Sequence, residues 1–122
     1  SGCCIQAATR DFARFGQFIL DGAQINGERL VPEDWIERAT TKRIGYGRPG
    51  QGYGFQWWTY DDGAFAARGI FGQGIFIDPS RNLVIASNSS WSTALGNDGG
   101  ENAAREALYQ MVVAAIDAEA TP

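Results

Sequence analysis

The stretch that most constrains the fold is Ala64–Asp78, AFAARGIFGQGIFID, where two runs of strand periodicity flank a short break. Bulky and small side chains alternate in Ala64–Ile70, and a period of two resumes in Gln73–Asp78. Phe71-Gly72 lies between the runs, and glycine can supply the positive φ of a hairpin turn. The pattern predicts two antiparallel strands joined at Phe71-Gly72.

Arg68 and Gly69 lie near the end of the first of these runs. A glycine at this place has two interpretations. It marks a bulge or bend in the strand, or it lets a substrate approach bare backbone whose N–H groups can bind an oxyanion. The residues alone leave both interpretations open.

The rest of the chain is predicted to add two strands and three helices. Tyr53–Tyr60 and Leu83–Asn88 have strand composition, so the sheet is an antiparallel meander of about four strands. One helix begins after Thr9 as N-cap, and a second opens at Pro32. The third helix is predicted over Glu101–Ala118, and its apolar stripe should pack on the sheet. The stripe comprises Ala104, Leu108, Met111 and Ala115, widened by Ala107, Val112 and Ile116.

Composition excludes several classes of function. The chain has 122 residues, a net charge of −4, no histidine and a single lysine, Lys42. A basic nucleic-acid surface is therefore not expected, and two cysteines without histidine do not make a structural zinc site. No apolar run reaches the length of a membrane span. The G-x-G-x-x-G of Gly45–Gly50 lacks the strand before it and the helix after it that a dinucleotide site requires. No cofactor or metal is predicted.

Cys3 and Cys4 are adjacent in the sequence. Bridged cysteines normally have Cα atoms farther apart than neighbours allow, so a disulfide between them would be strained. The geometry favours two reduced thiols, and a redox switch is the alternative.

Three segments carry a resemblance to a known family: RGIFGQ, GIFIDP and NLVIASNS. They resemble the serine β-lactamase and penicillin-binding-protein-like hydrolases, in the branch of the 6-aminohexanoate-dimer hydrolases. The resemblance implies an α+β fold, the α/β domain of the β-lactamase-like fold, with an antiparallel sheet and flanking helices. It also implies that residues 1–122 are the C-terminal segment of such a domain, and so a partial domain. The activity implied is amide or ester hydrolysis through an acyl-enzyme.

The family's motifs map onto this chain only in part. The family's S-x-x-K is absent, because Ala39 stands three residues before Lys42. The Tyr-x-Asn or Ser-x-Asn triplet is also absent. Ala67-Arg68-Gly69 occupies the place of the Lys-Thr-Gly strand motif. By resemblance, the backbone N–H of Ile70 is an oxyanion donor, and Arg68, Gly69 and Phe71 line the substrate pocket.

Two other classes of function remain open from the sequence. In the first alternative, the tryptophans form the stacking platform of a non-catalytic aromatic ligand-binding module. The tryptophans are Trp35, Trp57, Trp58 and Trp91. The second alternative is a self-associating fragment. The resemblance implies that N-terminal strands complete the sheet, so a bare edge should lead to a homodimer or to pairing with that N-terminal part. The cellular compartment, bacterial cytoplasm or periplasm, stays open.

Overall fold

The computed structural model describes residues 4–120 of the chain. In chain order the elements are α1 (Thr9–Leu20), β1 (Gln24–Ile25), β2 (Glu28–Arg29), α2 (Trp35–Thr40), β3 (Gln51–Tyr53), β4 (Trp58–Tyr60), β5 (Phe65–Arg68), β6 (Gly74–Asp78), β7 (Leu83–Ser87) and α3 (Glu101–Ala120). β1 and β2 form a separate hairpin, and the other strands form one antiparallel sheet in the order β3-β4-β5-β6-β7. The α+β class and the meander are confirmed.

The hairpin predicted around Phe71-Gly72 is the centre of the sheet. β5 and β6 pair in register from Phe65↔Ile77 to Arg68↔Gly74. The connection is a single 3₁₀ turn, Ile70–Gly72, and Gly72 has the expected positive φ of 95°. Phe71 is also left-handed, with φ 59°. The ends of both strands therefore meet at a tightly folded turn.

The prediction of one strand over Tyr53–Tyr60 is wrong, because the chain turns back on itself there. β3 and β4 are paired as a hairpin, and the Gly54 N–H donates to the Trp57 carbonyl at 2.8 Å. Gln56 is left-handed, with φ 65°, and a single extended strand cannot contain that conformation. The sheet thus has five strands rather than about four.

Two hydrophobic clusters cover the two faces of the sheet. On the α1 face, Ile19 packs with Phe65, Ile75 and Ile77. On the α3 face, Tyr109 packs with Ala64, Ala66 and Phe76, and its ring stacks on that of Phe76 with centroids 4.6 Å apart. Because successive strand residues face opposite sides, Ala67 belongs to the α1 face and Arg68 to the α3 face.

Helix α3 packs on the sheet as predicted, but through a different face. The residues it buries are Asn102, Arg105 and Tyr109. Leu108 is 48% exposed and Met111 is 69% exposed, so the apolar stripe points away from the sheet. The prediction chose the most apolar stripe, whereas Asn102 and Arg105 are buried by polar contacts that hydrophobicity does not register.

Smaller departures concern the other helices and the cysteines. α1 begins at Thr9, with Ala8 rather than Thr9 at the N-cap, and α2 begins at Trp35 rather than at Pro32. Cys4 is disulfide-bonded, so the expectation of a reduced thiol is wrong at this position. Cys3 lies outside the described residues.

Candidate active site

The turn Ile70–Gly72 is held from several sides. The Phe71 N–H donates to the Ala94 carbonyl at 2.9 Å, and the Phe71 carbonyl accepts from the Trp91 N–H at 3.1 Å. A Cβ on Gly72 would lie 2.5 Å from Nε1 of Trp91, so the indole packs directly against bare backbone. The loop after β7 therefore fixes the conformation of this turn.

The N–H of Ile70 is unlike those of its neighbours. Gly69 donates to the Gln73 carbonyl at 3.0 Å, and Phe71 donates to Ala94. Across residues 4–120 the Ile70 N–H has no hydrogen-bond acceptor, and the Ile70 side chain is 59% exposed. Gly69 itself is extended, with φ −99° and ψ 164°, so it is neither a bulge nor a left-handed turn residue. An unpaired N–H in such a turn can donate a hydrogen bond to a ligand oxygen.

Arg68 is committed to an ion pair on the α3 face. Its Nη2 lies 3.1 Å from Oε1 of Glu106 and 2.7 Å from the Tyr60 hydroxyl oxygen, and its side chain is only 10% exposed. Burial acts to lower the pKa of the Arg68 guanidinium. Electrostatic attraction to Tyr60 and Glu106 outweighs burial and raises this pKa above its usual value. Burial, reinforced by Glu106, also raises the pKa of the Tyr60 hydroxyl. The guanidinium thus points away from Ala67, as strand alternation predicts.

A cavity of about 330 Å³, the α3-face cavity, opens beside this ion pair, next to Gly69 and Ile70. Three arginines line it, and no aspartate or glutamate does among the described residues. The principal side chains around it are Tyr46, Arg48, Trp58, Arg68, Trp91 and Arg105. The guanidinium of Arg105 lies 4.8 Å from the ring centroid of Trp91, and that of Arg68 lies 5.1 Å from that of Trp58. The cavity combines positive charge with aromatic walls.

The arginines of the cavity differ in their freedom. Arg105 is buried; its Nη2 donates to Asn102 at 2.9 Å, and its Nε lies 3.8 Å from Glu106. Arg48 is exposed at the rim, and its guanidinium has no hydrogen bond or ion pair to any described residue. Because Glu106 is shared by Arg68 and Arg105, the cavity carries an excess of positive charge. An anion would find it favourable.

A second and larger cleft, of about 850 Å³, lies on the opposite side of the same backbone segment. Its lining includes Phe12, Ala67, Ile70, Phe71 and Asn88. Ile70 therefore borders both cavities. Of the residues predicted to line a pocket, Gly69 and Phe71 border this cleft directly, and Arg68 borders it while its charged end lies on the other face.

Three residues of this region escaped the sequence analysis: Arg48, Gln73 and Arg105. Arg48 lies in the glycine-rich loop Gly45–Gly50 and Arg105 lies in α3, and neither was predicted to border a site. The spacing Asn102 to Arg105, one helical turn, was a signal that these polar side chains share a face. No comparable signal marked Gln73, because its contacts depend on the fold.

No activated nucleophile is present among the described residues. Lys42 lies 3.0 Å from Asp61 in an exposed ion pair, so it is not placed to accept a proton from a serine. Within residues 4–120 no group of histidine, cysteine, aspartate or glutamate side chains has metal-binding geometry. None of the helices described is long and apolar enough to span a membrane.

Comparison with known proteins gives the family. No family model matches the chain. It is 32% identical to the 6-aminohexanoate-dimer hydrolase of Paenarthrobacter ureafaciens, in a match that covers 71% of this chain and 25% of that protein. It also matches the structure of a Bacillus anthracis protein assigned as a 6-aminohexanoate-dimer hydrolase. That match has a TM-score of 0.68 and 28% identity, and covers 91% of this chain and 29% of the other.

Fold and comparisons together define part of a β-lactamase-like hydrolase. Within that class the chain belongs with the 6-aminohexanoate-dimer hydrolases, as the resemblance implied. It spans only about a quarter of the length of the relatives it matches. The activity and substrates of those whole proteins are accordingly matters of proposal for this chain.

Proposed function

We propose that this chain is the C-terminal part of a serine hydrolase that cleaves amide or ester bonds through an acyl-enzyme, with the Ile70 N–H as one oxyanion donor. The observation that carries the proposal is the unpaired N–H of Ile70 in a turn that Trp91 and Ala94 hold rigid. Acyl transfer needs donors fixed in advance about 3 Å from the developing oxyanion. A rigid turn with a free N–H meets that requirement.

The proposal places the nucleophile outside this chain. Neither S-x-x-K nor a histidine is present, and Lys42 is occupied by Asp61. The relatives extend over about four times the matched length, which leaves room for a serine and its base. This chain would then supply the sheet, one oxyanion donor and one wall of the pocket. By itself it should be inactive.

The charge of the α3-face cavity supports a substrate that bears a carboxylate. Arg48 is free and Arg105 is only partly compensated, while Trp58 and Trp91 offer apolar walls. A carboxylate on a short apolar chain fits both features, because guanidinium groups bind carboxylates strongly and aromatic surface accepts methylenes. The proposed substrate is therefore a small linear amide or ester with a carboxylate end.

The alternative of an aromatic ligand-binding module has less support. Trp35 stacks on Phe55, and Trp57 packs edge-on against Phe65, so both engage partners within the chain. Trp58 and Trp91 border the α3-face cavity, and each already lies under an arginine. A continuous stacking platform is absent from the part of the chain described.

Binding of simple ligands to the isolated chain tests the substrate class. Tryptophan fluorescence and the backbone amide spectrum are recorded during titration with hexanoate, and with hexylammonium at the same ionic strength. We expect hexanoate alone to bind. Arg48→Gln should weaken it about fivefold, since a partly exposed charge pair contributes about 1 kcal/mol. Arg10→Gln, on the exposed surface of α1, is the control. Equal responses to the two ligands would contradict a carboxylate site.

A further inference from the structure

Gln73 connects the Ile70–Gly72 turn to the end of strand β7. Its Nε2 donates to the Ser89 carbonyl at 3.1 Å, and its Oε1 accepts from the Ser89 N–H at 3.0 Å. Both backbone hydrogen-bonding groups of one residue, Ser89, are thus paired with a single side-chain amide. Main-chain pairing of β6 with β7 ends at Gly74↔Ser87. The Gln73 amide therefore continues that ladder beyond its last backbone pair.

The same Nε2 also faces the turn. It lies 3.4 Å from the carbonyl oxygens of Ile70 and of Phe71. An amide nitrogen has two hydrogens, and one of them is used in the bond to Ser89. The two longer contacts share the second hydrogen. The Gln73 main chain contributes as well, since its carbonyl accepts from the Gly69 N–H at 3.0 Å. Gln73 therefore contacts the backbone on both sides of the Ile70 N–H.

The Ile70–Gly72 turn has a reason to need such a contact. Phe71 is left-handed at φ 59°, and a residue with a side chain adopts that conformation at a cost of about 1–2 kcal/mol. The bond to Ala94 holds the N–H end of the Ile70–Phe71 peptide, and the bond from Trp91 holds the Phe71 carbonyl. Gln73 is the described side chain that contacts the carbonyl end of the Ile70–Phe71 peptide. Without it this planar peptide is held at one end only and is freer to tilt.

We propose that Gln73 is a positioning residue that keeps the Ile70 N–H aimed at the reacting oxygen. This inference rests on the proposed function, in which that N–H is an oxyanion donor. The role requires an amide: a carboxylate of the same length has no hydrogen to donate and would face three carbonyl oxygens. Leucine would remove the donor and the acceptor together.

Hydrogen exchange and ligand titration of the isolated chain test the proposal through Gln73→Leu and Gln73→Glu. Gln110→Glu, on the exposed side of α3, is the matched control. We expect exchange of the Phe71 amide to accelerate at least tenfold in both Gln73 variants. The response of the Ile70 amide resonance to hexanoate should fall at least threefold. Amides of α1 and β6 should keep their protection, and the control should behave as the parent chain does.

The outcomes separate this inference from the proposed function. If hexanoate leaves the Ile70 amide unchanged in the parent chain, the oxyanion role itself fails. If the parent responds and both Gln73 variants respond equally well, Gln73 does not position the turn and the inference is overturned. Loss of α1 protection in both variants would show a global structural role, and that also overturns a local one.

Discussion

Arg68 and Glu106 form a nearly buried ion pair, 3.1 Å from Nη2 to Oε1, that ties strand β5 to helix α3. The Tyr60 hydroxyl completes the group, because it donates to Glu106 at 2.8 Å and accepts from Arg68. The pair lies on the side of the sheet opposite Ala67, directly beside the α3-face cavity. The sequence predicted that Arg68 contacts substrate, but its charge forms an ion pair that stabilises the fold.

Glu106→Gln should destabilise the chain. The substitution leaves Arg68 buried without its counter-charge, and removing one partner of a buried pair is strongly unfavourable. Because Glu106 is 20% exposed, we expect a loss of about 2 kcal/mol in the free energy of unfolding by urea. Glu119→Gln, near the exposed end of α3, is the control. A loss no larger than that of the control would mean that the pair contributes little.

Asp78 gives the stability a defined dependence on pH. It is 1% exposed and accepts from the Ser80 N–H, the Ser80 hydroxyl and Arg81. Burial acts to raise its pKa, but the bonds from Ser80 and Arg81 outweigh it and lower the pKa below the usual range. Its contribution is therefore present above the unfolded-state pKa of about 4 and is lost as pH falls through the folded-state value.

We expect Asp78→Asn to cost about 2 kcal/mol at pH 7, since the ionised acceptor of three bonds is replaced by a neutral amide. The difference between variant and parent should shrink as the pH approaches 3. Urea unfolding from pH 3 to pH 7 measures it, with the exposed Asp98→Asn as control. A difference that does not change with pH would contradict the assignment to this carboxylate.

Gly72→Ala should be far more damaging than substitution of another left-handed glycine. The Cβ at position 72 meets Trp91 and Ser89 within 2.7 Å, whereas the surroundings of Gly63 are open. Both residues have φ near 95°, so the strain of a left-handed alanine, about 1–2 kcal/mol, is common to both. We expect Gly63→Ala to show that strain alone and Gly72→Ala to lose about 3 kcal/mol. Thermal unfolding of the two variants compares them, and equal losses would contradict the close packing.

Sequence patterns predicted the centre of this fold because local rules decide it. Alternation in Ala64–Asp78 and the turn residues at Phe71-Gly72 agree with the tertiary structure. Patterns failed where distant contacts decide: the turn that splits Tyr53–Tyr60 depends on the approach of Gly54 to Ala39, and the face of α3 depends on Arg105 and Asn102. The role of Ile70 was inferred from a resemblance to a family. The role of Gln73 could not be predicted, because its contacts with the turn and with Ser89 form only in the folded chain.

Self-association of the chain is a further expectation. Strand β7, LVIAS, has no charge or proline, which are the residues that usually protect an edge. In the described part of the chain its outer side is unpaired, whereas β3 at the other edge is bridged by Ile44. Leu108 and Met111 add exposed apolar surface. We expect at least a dimer at micromolar concentration, most simply with two-fold symmetry.

Light scattering coupled to gel filtration over a tenfold dilution measures this association. Met111→Lys should shift the chain toward monomer, and Gln110→Lys, on an exposed and polar position of the same helix, should not. A monomer of 13.2 kDa at every concentration would contradict the expectation. The exposed apolar surfaces would then be compatible with a monomer in solution.

The central claim is that this chain completes a serine hydrolase whose nucleophile lies elsewhere in the polypeptide. The most direct test reads the gene upstream of Ser1, expresses the whole reading frame and labels it with a fluorophosphonate. We predict one labelled serine, three residues before a lysine and outside residues 1–122, together with turnover of a linear amide or ester. The isolated chain should neither label nor turn over β-lactams, esters or amides. Labelling with turnover in the isolated chain, or a whole reading frame without a reactive serine, would contradict the account.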